Sequence, residues 1–114
     1  MSTPTSIRAS ALQQRLAQGE AIQLVDVRED QELAMARLPL PVLHLPLSRS
    51  AEWVEHIEQL LERDRPVAVL CHAGVRSWQF GCWLIATHGY SDVLNLQGGI
   101  DAWSVEVDAA VPRY

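Results

Sequence analysis

The sequence contains no lysine; all nine of its cations are arginine. Set against 14 acidic residues they leave a formal charge of −5, so the chain carries no basic footprint and nucleic acid is excluded as an expected partner. Cysteine is scarce as well. Cys71 and Cys82 are the only two, and their spacing matches neither a redox pair nor a zinc motif, so no disulfide framework, structural metal or cofactor is expected. No apolar run approaches membrane-spanning length. The start, Met1 to Arg8, is polar and lacks the apolar core of a signal peptide. With no repeat, no low-complexity stretch and no covalent staple, the 114 residues must hold together by one core; a chain of this size buries roughly two-thirds of its unfolded surface. The expectation is a single domain over 1–114, with 1–6 a loose lead. A free thiol that serves chemistry implies a reducing compartment, and the cytoplasm is the expected location.

What is present centres on Cys71-His72-Ala73-Gly74-Val75-Arg76-Ser77. Before it, Pro66-Val67-Ala68-Val69-Leu70 is a short apolar run without alternation, as in a strand buried on both faces of a parallel sheet. After it, Trp78 to His88 is long enough for a helix, and Gly89 supplies the stop. Cys71 is thereby placed at the C-terminal end of a strand, the edge at which open α/β sheets bind ligands. Backbone N–H groups of residues 72 to 77 are expected to face one concavity, aided by the positive end of the helix dipole. Such surroundings favour the thiolate, the nucleophilic form of cysteine. Arg76 adds a permanent cation whose planar donors suit an oxyanion, and Gly74 permits positive φ or a close backbone approach. His72, Ala73, Gly74, Val75, Arg76 and Ser77 are therefore candidate substrate-binding residues around the catalytic candidate Cys71. The ring of His72 is expected to point toward the mouth of an accessible bowl.

The remaining segments read as scaffold. Ser10 is expected to cap a helix running through Gln18, closed by Gly19. Ile22-Gln23-Leu24-Val25-Asp26-Val27 is the best candidate for a central strand. Its one carboxylate, Asp26, must find partners or shift its pKa; structural support, by pairing with an arginine, is preferred to a role as general base, and Arg28 is expected to brace the same sheet edge. Glu29 to Ala36 reads as a short helix with acids in its first turn. Three prolines, Pro39, Pro41 and Pro46, hold an extended connection with a brief strand around Val42 to Leu45. Ser48 or Ser50 is expected to cap a helix carrying Trp53, Val54, Ile57, Leu60 and Leu61 on its core side and a solvated row of glutamates opposite. The helix after Cys71 is expected to be mostly buried, with Cys82 a small core residue. Val93 to Leu96 is the last strand, and Gly98-Gly99 opens a final helix, as a tight turn more than a phosphate site. Strands alternating with helices predict α/β architecture: a central parallel sheet of four to five strands with helices on both faces.

The loop resembles the active-site loop of single-domain rhodaneses, the thiosulfate sulfurtransferases, in its form Cys-x-x-Gly-x-Arg-Ser. Leu24-Val25-Asp26-Val27-Arg28-Glu29 is similar to that family's N-terminal signature, Asn95 to Trp103 to its C-terminal one, and Asp108 to Tyr114 to the tail of many bacterial members. One segment departs from the pattern: Ala36-Arg37-Leu38-Pro39-Leu40-Pro41 stands where members usually carry a glycine-containing Gly-His-Ile-Pro-Gly-Ala turn. The resemblance implies a rhodanese-like fold and an enzyme that moves a sulfane sulfur from thiosulfate or a similar small donor, through a persulfide on Cys71, to cyanide or a thiol acceptor, either a low-molecular-weight thiol or a thioredoxin-like protein. Cysteine phosphatases with a related loop place five residues between cysteine and arginine; here four intervene, a smaller cradle. Phosphatase or arsenate-reducing chemistry and a non-catalytic regulatory module are the competing readings.

Overall fold

A computed structural model describes residues 2–114. Five strands, β1 (Thr5–Ile7), β2 (Gln23–Asp26), β3 (Leu43–His44), β4 (Val67–Leu70) and β5 (Val93–Leu96), form one sheet in the order β1-β5-β4-β2-β3. Every pairing is parallel. The helices are α1 (Ala9–Ala17), α2 (Asp30–Met35), α3 (Ile57–Leu60), α4 (Val75–His88) and α5 (Gly99–Glu106). The expected α/β class, with its parallel sheet and helices on both faces, is what forms.

Alternation along β4 divides the core. Ala68 and Leu70 face one cluster with Leu12 of α1 and Ile100 and Trp103 of α5. Val67, Val69 and Cys71 face the other, with Ile57 of α3 and Phe80 and Leu84 of α4. All four residues of β4 are buried, as a strand with helices on both faces requires. Cys71 shares the parity of Val67 and Val69, which puts its side chain on the α4 side of the sheet.

Several expectations need correction. The lead is not loose through Ser6: Thr5 and Ser6 pair with Leu94 and Asn95 in β1, and Pro4 is buried. Pro4 crosses α4 where Gly81 leaves room, since a Cβ on Gly81 would lie 2.6 Å from Pro4 Cγ. Met1 lies outside the described residues. Because β1 runs straight into α1, Arg8 is the N-cap and Ser10 falls inside the helix without a capping bond. The long helix expected after Ser48 is instead broken. Two 3-10 stretches, Leu47–Glu52 and Val54–His56, precede the single α turn of α3. Two side-chain bonds pin the segment: Trp53 Nε1 donates back to Pro46 O at 3.0 Å, and Tyr90 Oη donates to Leu61 O at 2.6 Å. Those bonds outweigh helix propensity. Leu60 consequently lies 41% exposed, and Ser48 hydrogen-bonds Glu29. Helix α4 buries one face only; Cys82, Trp83 and Ile85 are half-buried. The connection 36–41 needs no glycine. Ala36 is extended at φ −161°, Leu38 drops into the α1/α5 core cluster, and among the described residues only glycines have positive φ.

Candidate active site

Cys71 follows the last residue of β4, and the chain turns at Gly74, whose φ of 109° and ψ of −4° make it the N-cap of α4. That left-handed conformation is one that glycine adopts without steric cost. The turn brings two amides to the sulfur: Gly74 N–H donates to Cys71 Sγ at 3.1 Å and Ser77 N–H at 3.4 Å. The sequence led to the expectation of six amides in the cradle; these two are the ones that bond Sγ. Cys71 is only 1% exposed, so in place of an open bowl the sulfur lies on a nearly sealed floor.

A hydroxyl completes the cradle. Ser77 Oγ lies 3.2 Å from Sγ and donates to Asn95 Oδ1 at 2.5 Å. Asn95 Nδ2 in turn donates to Gly74 O at 3.1 Å. One hydroxyl proton thus has two claimants, the sulfur and the Asn95 amide, and Asn95 ties the loop and the hydroxyl to β5. Sequence reasoning placed Ser77 but missed Asn95. The available signal was a polar residue inside an otherwise apolar strand, Val93-Leu94-Asn95-Leu96, every residue of which is buried.

The rear of the loop is held by α5. Ile100 N–H donates to Cys71 O at 2.9 Å and Asp101 N–H to His72 O at 3.3 Å. Gly99, at φ +61°, passes so close that an added Cβ would sit 2.3 Å from His72 O and 2.4 Å from Cys71 O. The paired glycines thus serve the docking of α5 on the Cys71 loop, and the first amides of α5 are spent on protein carbonyls, not on a phosphate.

Arg76 is not a free cation facing the sulfur. Its Nη1 and Nη2 donate to Glu32 Oε1 and Oε2 at 2.7 and 2.8 Å, a bidentate pair made with α2, and an acceptor that sequence reasoning did not identify. Glu32 also accepts from Tyr114 Oη at 2.8 Å and from the Glu29 amide at 3.0 Å. Chiefly through the hydrogen bonds from Arg76, against the opposing effect of burial, its carboxyl is held down at about 2. The same hydrogen bonds raise the Arg76 guanidinium above its ordinary value against the effect of burial, and the Glu32 charge adds to the rise. The tail supplies a further contact: the Tyr114 ring stacks on His72 with centroids 4.2 Å apart and planes at 16°. The His72 ring therefore faces the C-terminal residue. Ala73 is exposed and Val75 is 67% exposed, so these two bring only backbone to the loop.

Asp26 and Arg28 form a buried pair beside the site, with side chains 1% and 0% exposed. The carboxylate accepts Arg28 Nε, Nη2 and the Arg28 backbone amide, which satisfies both of its oxygens. Burial works against the Arg28 charge, but the hydrogen bonds with Asp26 and Tyr114 more than offset it, and its pKa lies above the ordinary value. Arg28 Nη1 donates to Tyr114 Oη at 3.1 Å, so the pair also fixes the tail.

The class follows from the fold and the site: a parallel α/β sheet with a cysteine at the end of its middle strand, its sulfur bonded by amides of the turn that opens a helix. The family model described as Rhodanese-like domain matches residues 8–106, and the chain belongs to the rhodanese family. It is 37% identical over 102 residues to a protein named Sulfurtransferase from Allochromatium vinosum, with 86% of each chain covered. It is also 39% identical over 92 residues to Rhodanese-like/PpiC domain-containing protein 12, chloroplastic, of Arabidopsis thaliana, matching 81% of this chain but only 30% of that much longer one. Among solved structures, the rhodanese-like domain protein of Staphylococcus aureus superposes with a TM-score of 0.75 at 27% identity, covering 96% of this chain and 98% of that one. These relatives support sulfur transfer as the general chemistry of this chain.

Proposed function

We propose that the chain moves a sulfane sulfur by way of a persulfide on Cys71, with thiosulfate or a related sulfane compound as donor and a thiol as acceptor. The observation that carries this reading is the convergence of the Gly74 and Ser77 amides and the Ser77 hydroxyl on one sulfur. In the first half-reaction the Cys71 thiolate attacks the outer sulfur of the donor. A Cys71 S–S bond forms, the donor's S–S bond breaks, and sulfite leaves with the electron pair when thiosulfate is used. The negative sulfur then rests near fixed N–H dipoles that need no reorganisation, as an oxyanion does in its hole. In the second half-reaction a thiolate takes the outer sulfur and restores Cys71, a ping-pong sequence. Cyanide would do the same in an assay. Asp26 and Arg28 support the loop and tail and do not exchange protons with the substrate.

The acceptor fits a low-molecular-weight thiol or a thioredoxin-like protein, and a reducing, cytoplasmic setting suits a chain whose Cys71 and Cys82 are both free. The test is intact mass. Incubation with thiosulfate should add the mass of one sulfur atom, and cyanide should remove it. Cys71→Ser should abolish the gain while Cys82→Ser retains it; gain in Cys71→Ser would move the nucleophile elsewhere. Turnover of a generic aryl phosphate without any sulfur gain would favour phosphatase chemistry instead.

A further inference from the structure

Among the described residues five polar side chains are buried: Asp26, Arg28, Ser77, Asn95 and Ser104. Asp26 and Arg28 satisfy one another, and Ser104 Oγ donates to Val111 O at 2.6 Å. The other two meet beside the Cys71 sulfur. Asn95 stands in β5 between Ser6 of β1 and Val69 of β4, where a polar side chain costs stability unless its hydrogen bonds are made.

The bonds around Asn95 fix where each proton lies. Gly74 O has no proton to give, so the Asn95 atom facing it at 3.1 Å is Nδ2, and Oδ1 is left toward Ser77. Oδ1 carries no proton either. The Ser77 hydroxyl therefore donates to it, at 2.5 Å, and turns a lone pair toward Sγ, 3.2 Å away. In that arrangement Ser77 accepts from a Cys71 thiol but gives nothing to a thiolate. To donate to a charged Sγ the hydroxyl must rotate, leaving Oδ1 unpaired on a residue only 5% exposed.

We propose that Asn95 is a positioning residue that favours the sulfur-loaded chain over the free thiolate, by competing with Sγ for the Ser77 hydroxyl. This rests on the persulfide reading of Cys71 given above. In the loading step the Cys71 thiolate attacks the outer sulfur of thiosulfate, the Cys71 S–S bond forms, the donor's S–S bond breaks, and sulfite leaves with the electron pair. The Ser77 proton stays on Oγ and changes only its acceptor. Before the step Sγ is charged and claims the hydroxyl at the expense of Asn95. After it the charge rests on the outer sulfur, about 2 Å further on, and the hydroxyl returns to Oδ1. The free thiolate thus bears a cost that the persulfide does not.

The experiment equilibrates the full chain with fixed mixtures of thiosulfate and sulfite at about pH 9, where an ordinary cysteine is mostly ionised, and reads the loaded fraction by intact mass. Asn95→Leu should lower the ratio of loaded to free chain roughly tenfold, about 1.4 kcal/mol, because the hydroxyl is then free to serve the thiolate. Leucine suits a buried strand, and Gly74 O keeps the Trp78 amide as a donor at 3.3 Å. Arg76, Glu32 and the Asp26–Arg28 pair are common to all the chains compared, so their charges cancel. In a Ser77→Ala background the same substitution should leave the ratio unchanged. Unaltered loading in Asn95→Leu overturns the proposal, and so does an equal fall with and without Ser77, which would make Asn95 a brace of the loop alone. A second measurement needs no variant: the ¹³C resonance of the Asn95 side-chain carbonyl should move when the unsubstituted chain is loaded, as Oδ1 regains its partner, and a static resonance overturns the proposal. If thiosulfate adds sulfur to none of these chains, the persulfide reading itself fails, and the proposal with it.

Discussion

Replacing Gly99 with alanine would drive a methyl group into the backbone of the Cys71 loop. The added Cβ would lie 2.3 Å from His72 O and 2.4 Å from Cys71 O, both backbone atoms that cannot rotate away. Three costs combine. A non-glycine residue at φ +61° costs about 1 kcal/mol or more. Relief of the overlap needs a shift of α5 worth about 1–3 kcal/mol of the kind seen on overpacking. That shift lengthens the Ile100-to-Cys71 and Asp101-to-His72 hydrogen bonds, worth about 1 kcal/mol each. A loss of about 4–6 kcal/mol results, a large share of the stability of a domain this size. Gly19→Ala is the control, since φ there is +84° but nothing lies within 4 Å of the new Cβ; it should cost only about 1 kcal/mol. Urea unfolding separates the two, with the midpoint of Gly99→Ala falling by about 2–3 M at an m-value of about 2 kcal/mol/M. Sulfur transfer should fall in the same variant, below its unfolding midpoint, because the carbonyls that orient Cys71 lose their partners. Equal midpoints for the two variants would refute the claim that α5 docks on the loop through Gly99.

Ser77→Ala should slow persulfide formation roughly tenfold at neutral pH, the effect expected for one hydrogen bond to a charged sulfur, and stopped-flow transfer kinetics would detect it; an unchanged rate would remove the hydroxyl from the cradle. The Glu32 carboxyl, held at about 2 in the folded chain against 4.5 ordinarily, binds fewer protons folded than unfolded between those values. Its contribution is therefore complete above about pH 4.5 and is lost as pH falls through about 2, with a size on the order of 1–2 kcal/mol after allowing for partial exposure of the pair. The stability gap between the unsubstituted chain and Glu32→Gln should close on acidification, and parallel pH profiles would contradict this. Gly81→Ala should destabilise by about 1–3 kcal/mol although it sits in a helix that favours alanine, because its Cβ meets Pro4. Deleting residues 1–4 together with that substitution should remove the penalty, as thermal unfolding would show.

The sequence alone was enough for the strand, loop and helix that carry the thiol, because their signals are local. An unbroken apolar run, a glycine at the turn and a glycine stop are all read within the stretch from Pro66 to Gly89. It was enough, too, for the parallel α/β class, since buried strands alternating with amphipathic helices leave few other architectures. Tertiary structure decided what depends on distant partners. Strand β1 has one buried residue, Ile7, and a burial pattern otherwise exposed, so only its pairing with β5, far along the chain, makes it a strand. The segment from Leu47 to Leu61 carries helical spacing, yet its bonds to Pro46 and Tyr90 pin it where a continuous helix cannot run. The site divides in the same way. Cys71, Gly74 and Ser77 share one loop and were legible in it, whereas Asn95, Glu32 and Tyr114 come from β5, α2 and the tail. A charge such as Arg76 announces itself in the sequence; whether it is free or already answered by a carboxylate is set by the packing of α2 against the loop, which no local pattern encodes.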